Sequence, residues 1–263
     1  MKVALVSLNQ SWEDKEANRL KVRNCFQTIA FRNMDLVIFP EMTLTGFTMN
    51  VKEHAEEAEN SATIRFFTDC ACQYGVYIGF GMILKAGIKA ANHFIIVSPE
   101  GEMCADYIKI HPFSYAGEDR FYEKGKHLTS LEIQGVPIGL SICYDLRFPE
   151  IFQALSRTDK LILNIANWPE RRGLHWKTLI QARAIENQVY FLGVNRIGKD
   201  GNGLKYENSS LIVSPEGEIL SPESINEEID IYEIDPALVD ICRENFPVKN
   251  DRQVNFYKEI ICN

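Results

Sequence analysis

The hexapeptide VSPEGE occurs twice in this chain, at Val97–Glu102 and again at Val213–Glu218. Each copy ends a stretch that begins with asparagine and finishes in Ile-Val, NHFIIV in the first case and NSSLIV in the second. The second copy follows the first by 116 residues, an offset too long for a solenoid repeat. The repetition therefore predicts that the chain is built from two similar halves.

Two further pairs of segments keep nearly the same offset. DLVIFPE at Asp35 matches DKLILNIANWPE at Asp159, and YIGFG at Tyr77 matches YFLGVN at Tyr190. Around these segments, short apolar runs alternate with longer amphipathic stretches, a pattern typical of strands and helices. The predicted strands are Lys2–Leu8, Asp35–Phe39, Val76–Leu84, Asn92–Ser98, Met103–Ile110, Val136–Ile142, Asp159–Asn167 and Tyr190–Asn195, and the predicted helices are Ala17–Asn33, Ser61–Gly75 and Leu174–Asn187.

Two α/β halves whose sheets pack face to face, with helices outside, form a four-layer αββα sandwich, and this α/β fold is our prediction. A single doubly wound sheet would also alternate strands and helices. Its dinucleotide-binding form needs a glycine-rich turn after the first strand, and the sequence there is SLNQSWED. No linker rich in Pro, Gly or Ser divides the 263 residues, so residues 1–263 are read as one domain.

The composition, 46% hydrophobic and 24% charged, is that of an ordinary globular protein and disfavours disordered and fibrous classes. A net charge of −8 repels phosphate backbones and anionic membranes, so neither nucleic acid nor a membrane is expected as a partner. The N-terminal MKVALVSLNQ turns polar too early for a signal peptide or a membrane span. We therefore expect a cytoplasmic protein.

The cysteine count is odd, which favours reduced thiols over a disulfide framework. The cysteines are Cys25, Cys70, Cys72, Cys104, Cys143, Cys242 and Cys262. Cys143 directly follows an apolar strand in GLSICYDLRFPE, where backbone N–H groups favour a thiolate and a developing oxyanion. Taken alone, an inert core cysteine is the better interpretation. The Cys70 and Cys72 pair lacks further ligands at zinc spacing, so no metal site is predicted.

Glu41 and Lys109 lie at the ends of two other strands. Glu41 directly follows DLVIFP, where burial would raise the pKa of its carboxyl group toward that of a general base. Alternation in YIKIHPF places Lys109 on the same face as Tyr107, and a buried lysine needs a carboxylate or a substrate oxygen. Taken singly, an exposed loop glutamate and a solvated lysine are equally ordinary.

Together, FPEMTLTGF, YIKIHPF and SICYDLRFPE resemble the three catalytic blocks of the nitrilase superfamily, the carbon–nitrogen hydrolases, in that family's order. The resemblance extends from VALVSLNQ to FPVKNDRQVNFY. It implies the αββα fold, with Cys143 as nucleophile, Glu41 as general base and Lys109 as the cation at the tetrahedral intermediate. It also implies a second glutamate, Glu118, which would position Lys109 or a water molecule.

Three stretches resemble the omega-amidase branch, namely CYDLRFPE, NIANWPERRGLHWKTLIQARAIENQVYFLGVNRIGKDGNG and, by its spacing, KIHPFSYAGEDRFYEKG. This implies a small-molecule amide substrate, such as 2-oxoglutaramate or 2-oxosuccinamate, and no cofactor. A nitrilase or a carbamoyl-amine hydrolase shares the same three residues and stays open as an alternative. A non-catalytic binding member would lack one of the three, and none is missing.

A substrate acid needs a cation, and Arg147 is the first candidate for a bidentate contact with it. An ion pair of Arg147 with Asp145 or Glu150 is an equal alternative. The other pocket candidates are Arg171, Arg172, Phe47, Phe113, Trp168 and the backbone N–H of Tyr144, which would hold the oxyanion together with Lys109. His111 and His175 are interpreted as structural histidines.

The C-terminal residues 225–263 form an extension beyond the repeated halves. Its apolar positions, which need burial, are Ile229, Ile231, Ile234, Val239, Phe246, Val254 and Phe256. Such tails commonly reach across a dimer in the nitrilase superfamily, so the resemblance implies a homodimer or a higher homo-oligomer. The tail could equally fold back on its own subunit.

Overall fold

The protein is described by a computed structural model that covers residues 1–261, so Cys262 lies outside the described residues. The strands are β1 (Lys2–Val6), β2 (Leu36–Ile38), β3 (Tyr77–Ala86), β4 (Lys89–Val97), β5 (Met103–Ile108), β6 (Ser130–Ile133), β7 (Val136–Ile142), β8 (Leu161–Ala166), β9 (Tyr190–Asn195), β10 (Gly198–Lys199), β11 (Lys205–Tyr206), β12 (Leu211–Val213), β13 (Glu223–Ser224) and β14 (Ile229–Glu233). The helices are α1 (Lys15–Ile29), α2 (Val51–His54), α3 (Ala62–Tyr74), α4 (Glu118–Phe121), α5 (Pro149–Leu155), α6 (Gly173–Asn187), α7 (Ala237–Asn245) and α8 (Val254–Ile261). Within residues 1–261, no helix is long and apolar enough to cross a lipid bilayer.

The strands form two main sheets. The first has the order β13-β14-β1-β2-β3-β4-β5, and the second has the order β12-β9-β8-β7-β6. Strands β1, β2 and β3 run parallel, as do β7, β8 and β9. An antiparallel strand then follows in each half, β4 beside β3 and β12 beside β9. The two sheets thus repeat one topology, as the paired sequence segments predict.

Three apolar layers hold the elements together. Side chains of β1, β2, β7, β8 and β9 meet between the two sheets, among them Leu5, Ile38 and Leu163. The outer face of the first sheet packs against α1 and α3, where the rings of Phe67 and Phe80 stack with centroids 4.0 Å apart. The outer face of the second sheet packs against α5 and α6. This arrangement is the predicted four-layer αββα sandwich, and the single doubly wound sheet is excluded.

The VSPEGE repeat forms the same turn in both halves. Ser98 N donates to Glu102 O at 2.8 Å, and Ser214 N donates to Glu218 O at the same distance. The glycines of the two turns, Gly101 and Gly217, have φ values of 84° and 90°. Because this left-handed conformation strains residues that carry a Cβ, both copies of the turn retain glycine.

The first half supplies one strand, β6, to the second sheet, and the second half supplies two, β13 and β14, to the first sheet, which the sequence pattern does not reveal. Strand β6 follows the first half in the chain, yet it pairs antiparallel with β7 of the second sheet. Strand β14 follows the second half and pairs antiparallel with β1 of the first sheet, Lys2 opposite Glu233. Neither sheet is therefore complete without a strand from the other half.

Most predicted boundaries agree with the observed ones to within a few residues, and two differences matter. Helix α1 begins at Lys15 rather than Ala17, because the Asp14 side chain accepts a hydrogen bond from Ala17 N and caps the helix there. Strand β5 ends at Ile108, so Lys109 lies just beyond the strand instead of within it. The predicted hairpin of β4 and β5 is confirmed.

The C-terminal extension divides into two parts. Ile229, Ile231, Ile234 and Val239 are buried within their own subunit, so the fold-back alternative holds for the part around β14. Phe246, Val254 and Phe256 are exposed in the single chain. The assembly into a dimer stays a prediction, and the extension has exposed apolar surface for it in this later part and on α7, at Leu238 and Ile241.

Candidate active site

Three charged side chains meet in the interior between the two sheets. Lys109 Nζ lies 2.9 Å from Glu41 Oε1 and 2.9 Å from Glu118 Oε2. Lys109 is 1% exposed and both glutamates are 0% exposed. The predicted grouping of Glu41, Lys109 and Glu118 is therefore found in direct contact, with two carboxylates around one ammonium group.

The backbone around Glu41 is held from two sides. Gln10 Nε2 donates to the carbonyl oxygens of Glu41 and Met42 at 3.0 and 2.9 Å. On β3, a Cβ atom on Gly81 would lie 2.4 Å from Met42 N and 2.7 Å from Glu41 Cα. Only glycine allows this approach, as the glycines in VYIGFGMIL suggest. The turn after β2 is therefore fixed by β3 and by the segment after β1.

Glu118 is placed by a tight turn that precedes it. It is the first residue of α4 and follows Gly117, whose φ is 77°. Its carboxylate accepts from Lys109 Nζ through both oxygens, at 3.1 and 2.9 Å, and also from Phe113 N. Of the two predicted roles for this residue, positioning of Lys109 is the one that these contacts support.

Two asparagines complete the shell around the carboxylates, and the sequence interpretation missed both. Asn92 Nδ2 donates to Glu41 Oε1 at 2.7 Å and to Glu118 Oε1 at 3.1 Å. Asn167 donates twice to Glu41, from its backbone N to Oε2 at 2.9 Å and from Nδ2 to the main-chain carbonyl oxygen at 2.6 Å. Their signal in the sequence was position: Asn92 begins the repeated Asn-to-Val stretch, and Asn167 ends NIAN.

Cys143 lies at a strained turn between β7 and a short 3₁₀ helix, Cys143–Arg147. Its φ of 47° is in the left-handed region, which costs a residue with a side chain about 1 kcal/mol. Asp145 stabilises this turn, because its carboxylate accepts from Ile142 N at 3.0 Å and from Tyr107 Oη at 2.7 Å. The half-buried thiol lines the same pocket as Lys109.

His111 has a structural role, as predicted. Its backbone N donates to Asp145 Oδ1 at 2.9 Å, and its Nδ1 lies 2.8 Å from the same oxygen. Its ring stacks on Phe148 with centroids 3.7 Å apart. His175 is exposed and contacts Arg147, with 3.2 Å between His175 Nδ1 and Arg147 Nη2.

Burial and charge together set the protonation states in this cluster. Burial lowers the pKa of Lys109, but the Glu118 and Glu41 carboxylates raise it by more, so the ammonium group keeps its charge. Burial raises the pKa of Glu118, and Glu41 adds to this effect. Burial also raises the pKa of the Cys143 thiol well above its usual value, and Glu41 raises it further, while Lys109 lowers it. A thiol whose pKa is raised stays protonated near neutral pH and needs a base to become nucleophilic.

The cluster opens into a pocket of about 640 Å³, a volume within the usual range for small-molecule sites. All five predicted substrate-binding residues line it, namely Phe47, Phe113, Tyr144, Arg147 and Trp168. Further lining residues that the sequence interpretation missed include Trp12, Glu13, Asp200 and Tyr206. Within residues 1–261, no cluster of three or more His, Cys, Asp or Glu side chains could hold a metal ion.

One wall of the pocket carries three arginines, Arg147, Arg171 and Arg172. In the part of the chain that the structure describes, none of them forms an ion pair, so the alternative pairing of Arg147 with Asp145 or Glu150 is wrong. Asp145 is instead held by Tyr107 and His111. The Arg147 guanidinium stacks over Trp168 at 4.8 Å, and that of Arg172 over Phe113 at 5.3 Å.

Comparison with known proteins identifies this arrangement. The family model for carbon–nitrogen hydrolases matches residues 2–244. The chain belongs to the carbon–nitrogen hydrolase family. This carbon–nitrogen hydrolase is 34% identical to the omega-amidase YafV of Yersinia enterocolitica over 95% of its own length and 96% of that protein. It is 31% identical to a 2-oxoglutaramate amidase of Bacillus subtilis over 92% of this chain and 94% of the relative.

A solved structure supports the same assignment. The carbon–nitrogen hydrolase superfamily protein XC1258 of Xanthomonas campestris, described with an arsenic adduct in its active site, superposes with a TM-score of 0.89. It shares 30% sequence identity and covers 96% of this chain and 97% of its own. The present chain is thus an amide-hydrolysing enzyme of the nitrilase superfamily, in the omega-amidase branch.

Proposed function

We propose that this enzyme hydrolyses the terminal amide of short dicarboxylic keto-acid monoamides, such as 2-oxoglutaramate and 2-oxosuccinamate, through a thioester on Cys143. One observation carries the proposal: three arginines that form no ion pair within residues 1–261 line the same pocket as Cys143 and Lys109. A substrate with an amide at one end and a carboxylate at the other satisfies both parts of this pocket. The similarity to omega-amidases supports the same substrate class.

Acylation begins with the transfer of the Cys143 thiol proton to Glu41. The sulfur then forms a bond to the amide carbon, and the carbonyl oxygen becomes an oxyanion. Lys109 and the backbone N–H of Tyr144, in the first turn of the 3₁₀ helix, stabilise that charge. The C–N bond breaks as Glu41 returns its proton to the departing nitrogen, and ammonia leaves.

Deacylation uses the same groups in the reverse sense. Glu41 takes a proton from a water molecule, whose oxygen bonds to the thioester carbon. The C–S bond then breaks, the product acid forms, and Cys143 regains its proton from Glu41. Glu118 keeps the Lys109 ammonium group directed at the oxyanion in both steps through its two hydrogen bonds to Nζ.

The arginine wall recognises the distal carboxylate. Burial lowers the pKa of Arg172, and the positive charges of Arg171 and Arg147 lower it further. Three cations close together repel one another, and a bound carboxylate relieves that repulsion. We assign the main carboxylate contact to Arg147 and Arg172, which their aromatic partners Trp168 and Phe113 hold in place.

The test is to incubate the enzyme with 2-oxoglutaramate, follow ammonia release, and search for an acyl adduct on Cys143 by mass spectrometry. We expect Cys143→Ala to lose both the activity and the adduct. Cys104→Ala, which removes an exposed thiol on β5, serves as the matched control and keeps both. Full activity of Cys143→Ala would overturn the mechanism.

The substrate class is tested separately with a neutral amide of similar length, a nitrile and a carbamoyl amine. Replacement of Arg172 or Arg147 by Met is expected to raise KM for 2-oxoglutaramate by about 10- to 100-fold, since each removes a hydrogen bond to a charged group. The same variants leave KM for the neutral amide unchanged, and Lys177→Met on the exposed side of α6 changes neither value. Turnover of the nitrile or the carbamoyl amine alone would favour the alternative members of the superfamily.

A further inference from the structure

Asn92, on β4, contacts both carboxylates of the cluster and the main chain of Lys109. Its Nδ2 donates to one oxygen of Glu41 at 2.7 Å and to one oxygen of Glu118 at 3.1 Å. Its main-chain carbonyl oxygen accepts from the backbone N of Lys109 at 2.9 Å. The side chain is 1% exposed, so these contacts are made away from bulk water.

The side-chain amide of Asn92 has a single productive orientation. Both neighbours are carboxylates, which accept hydrogen bonds when they are ionised, so the NH₂ group must face them. In the described chain, the Oδ1 atom has no hydrogen-bond partner and is the end turned away. A buried acceptor without a partner lowers stability, and it is tolerated here because the opposite end of the amide bridges two carboxylates.

Two carboxylates beside one ammonium group leave a negative charge that favours protonation of one of them. The groups that face this pair are Lys109 after β5, Cys143 after β7 and Tyr122 after α4. Of these, only Lys109 brings a positive charge. Asn92 supplies a neutral donor that both carboxylates share, which offsets part of their repulsion.

We propose that Asn92 is a positioning residue that keeps Glu41 and Glu118 ionised side by side, so that Glu41 is an unprotonated base when the substrate arrives. The inference rests on the role proposed above for Glu41. It goes beyond the Glu, Lys and Cys grouping, because it assigns to β4 the task of holding the base in its working state.

The internal repeat offers a matched control. Asn208 occupies the corresponding position in the second half, at the start of NSSLIVSPEGE. It is exposed, and its Nδ2 donates to Glu227 O at 3.1 Å, a residue that does not belong to the charged cluster. The two asparagines therefore share a place in the repeat, but Asn92 is buried on β4 against the cluster, whereas Asn208 is exposed and precedes β12.

The experiment compares Asn92→Leu and Asn92→Asp with Asn208→Leu. The rate at which iodoacetamide alkylates Cys143 is followed against pH by peptide mass spectrometry, and kcat/KM for ammonia release is measured over the same range. We expect the acidic limb of both profiles to move up by about one pH unit in Asn92→Leu, because a hydrogen bond to a charged group is worth about that much. In Asn92→Asp, which keeps the shape of the side chain, the limb moves up further because a third acid shares the site. Asn208→Leu leaves both profiles in place.

A fall in rate with an unmoved acidic limb in both Asn92 variants would show a purely structural role and overturn the proposal. If Asn92→Leu does not fold, the Asn92→Asp profile alone decides in the same way. The alkylation profile needs no substrate, so it tests Asn92 even if the wild-type enzyme releases no ammonia from 2-oxoglutaramate. That second outcome would contradict the proposed substrate and leave the inference about Asn92 standing.

Discussion

The two halves of the molecule share one strand topology, but equivalent residues in them have different surroundings. After β2 the chain reads Pro40-Glu41, and after the corresponding strand β8 it reads Pro169-Glu170. Glu41 is fully buried against Lys109, whereas Glu170 is exposed at the start of a 3₁₀ helix. The same dipeptide after equivalent strands thus yields a buried carboxylate beside Lys109 in one half and a solvated surface carboxylate in the other.

The difference teaches that the repeat sets the backbone position of a residue, whereas the neighbouring residues determine whether its side chain is buried and surrounded by charged groups. The first half supplies Glu41, our proposed base, and the Lys109 ammonium group, and the second half supplies the Cys143 thiol and the arginine wall. The cluster forms where the turn after β2 meets Asn167 of the second half, whose backbone N donates to the Glu41 carboxylate. The proposed catalytic groups therefore come together where the two halves contact each other.

The strongest test of this difference between the halves is to make the same substitution in both Pro-Glu sequences. We expect Glu41→Gln to lower kcat/KM by about 1000-fold, the usual scale for removal of a general base. Glu170→Gln should change it less than about twofold, because an exposed carboxylate outside the cluster takes no part in the reaction. Steady-state ammonia release measures both. Equal losses in the two variants would contradict the assignment of the base to the first half.

The second prediction concerns glycines on the matched strands β3 and β9. Gly81→Ala would push the backbone of Glu41 and Met42, and a displacement of about 1 Å at a catalytic group costs about 100-fold in kcat. Gly193→Ala on β9 meets only side chains, with Ile180 Cδ1 at 2.3 Å and Trp176 Cζ2 at 2.8 Å.

For Gly193→Ala we therefore expect a loss of about 1–3 kcal/mol in the free energy of unfolding from overpacking, with kcat little changed. Urea denaturation and single-turnover kinetics separate the two effects. A Gly81→Ala enzyme with normal kcat would show that β3 does not hold the base.

The smallest expected effect falls on the feature that the halves share. Gly101→Ala and Gly217→Ala each place a side chain at a left-handed φ, which costs about 1–2 kcal/mol. Both variants should lower the free energy of unfolding by similar amounts in urea titrations, without a change in kcat. A clear loss of activity in only one of them would mean that the turns are not equivalent.

Much of this architecture was predictable from the sequence because the repeat is explicit. VSPEGE and its companion segments predicted two sheets with outer helices, and the resemblance of three segments to the nitrilase superfamily implied that Glu41, Lys109 and Cys143 act together. The exchange of β6 and β14 was not visible, since the pairing partner of a short edge strand depends on the tertiary fold rather than on its own apolar pattern. The sequence also did not show that the later part of the C-terminal extension is exposed in the single chain.

The site was only partly predictable for a related reason. Asn92 and Asn208 have the same place in the repeat, and nothing in either segment distinguishes the buried one from the exposed one. The sequence likewise could not show whether Arg147 pairs with Asp145. In the fold, Asp145 is hydrogen-bonded to Tyr107 and His111 instead. Sequence position indicated which residues lie at strand ends. The packing of one sheet on the other determined which of these residues are buried together in the site.

The pairing of β1 with β14 has a consequence for how this enzyme is made. Lys2 is synthesised more than two hundred residues before its sheet partner Glu233. During most of translation, the nascent chain therefore carries an open strand edge beside β1, of the kind that invites association with other chains. The first sheet can close on this side only after β14 has been synthesised, so the edge of β1 stays unpaired until then.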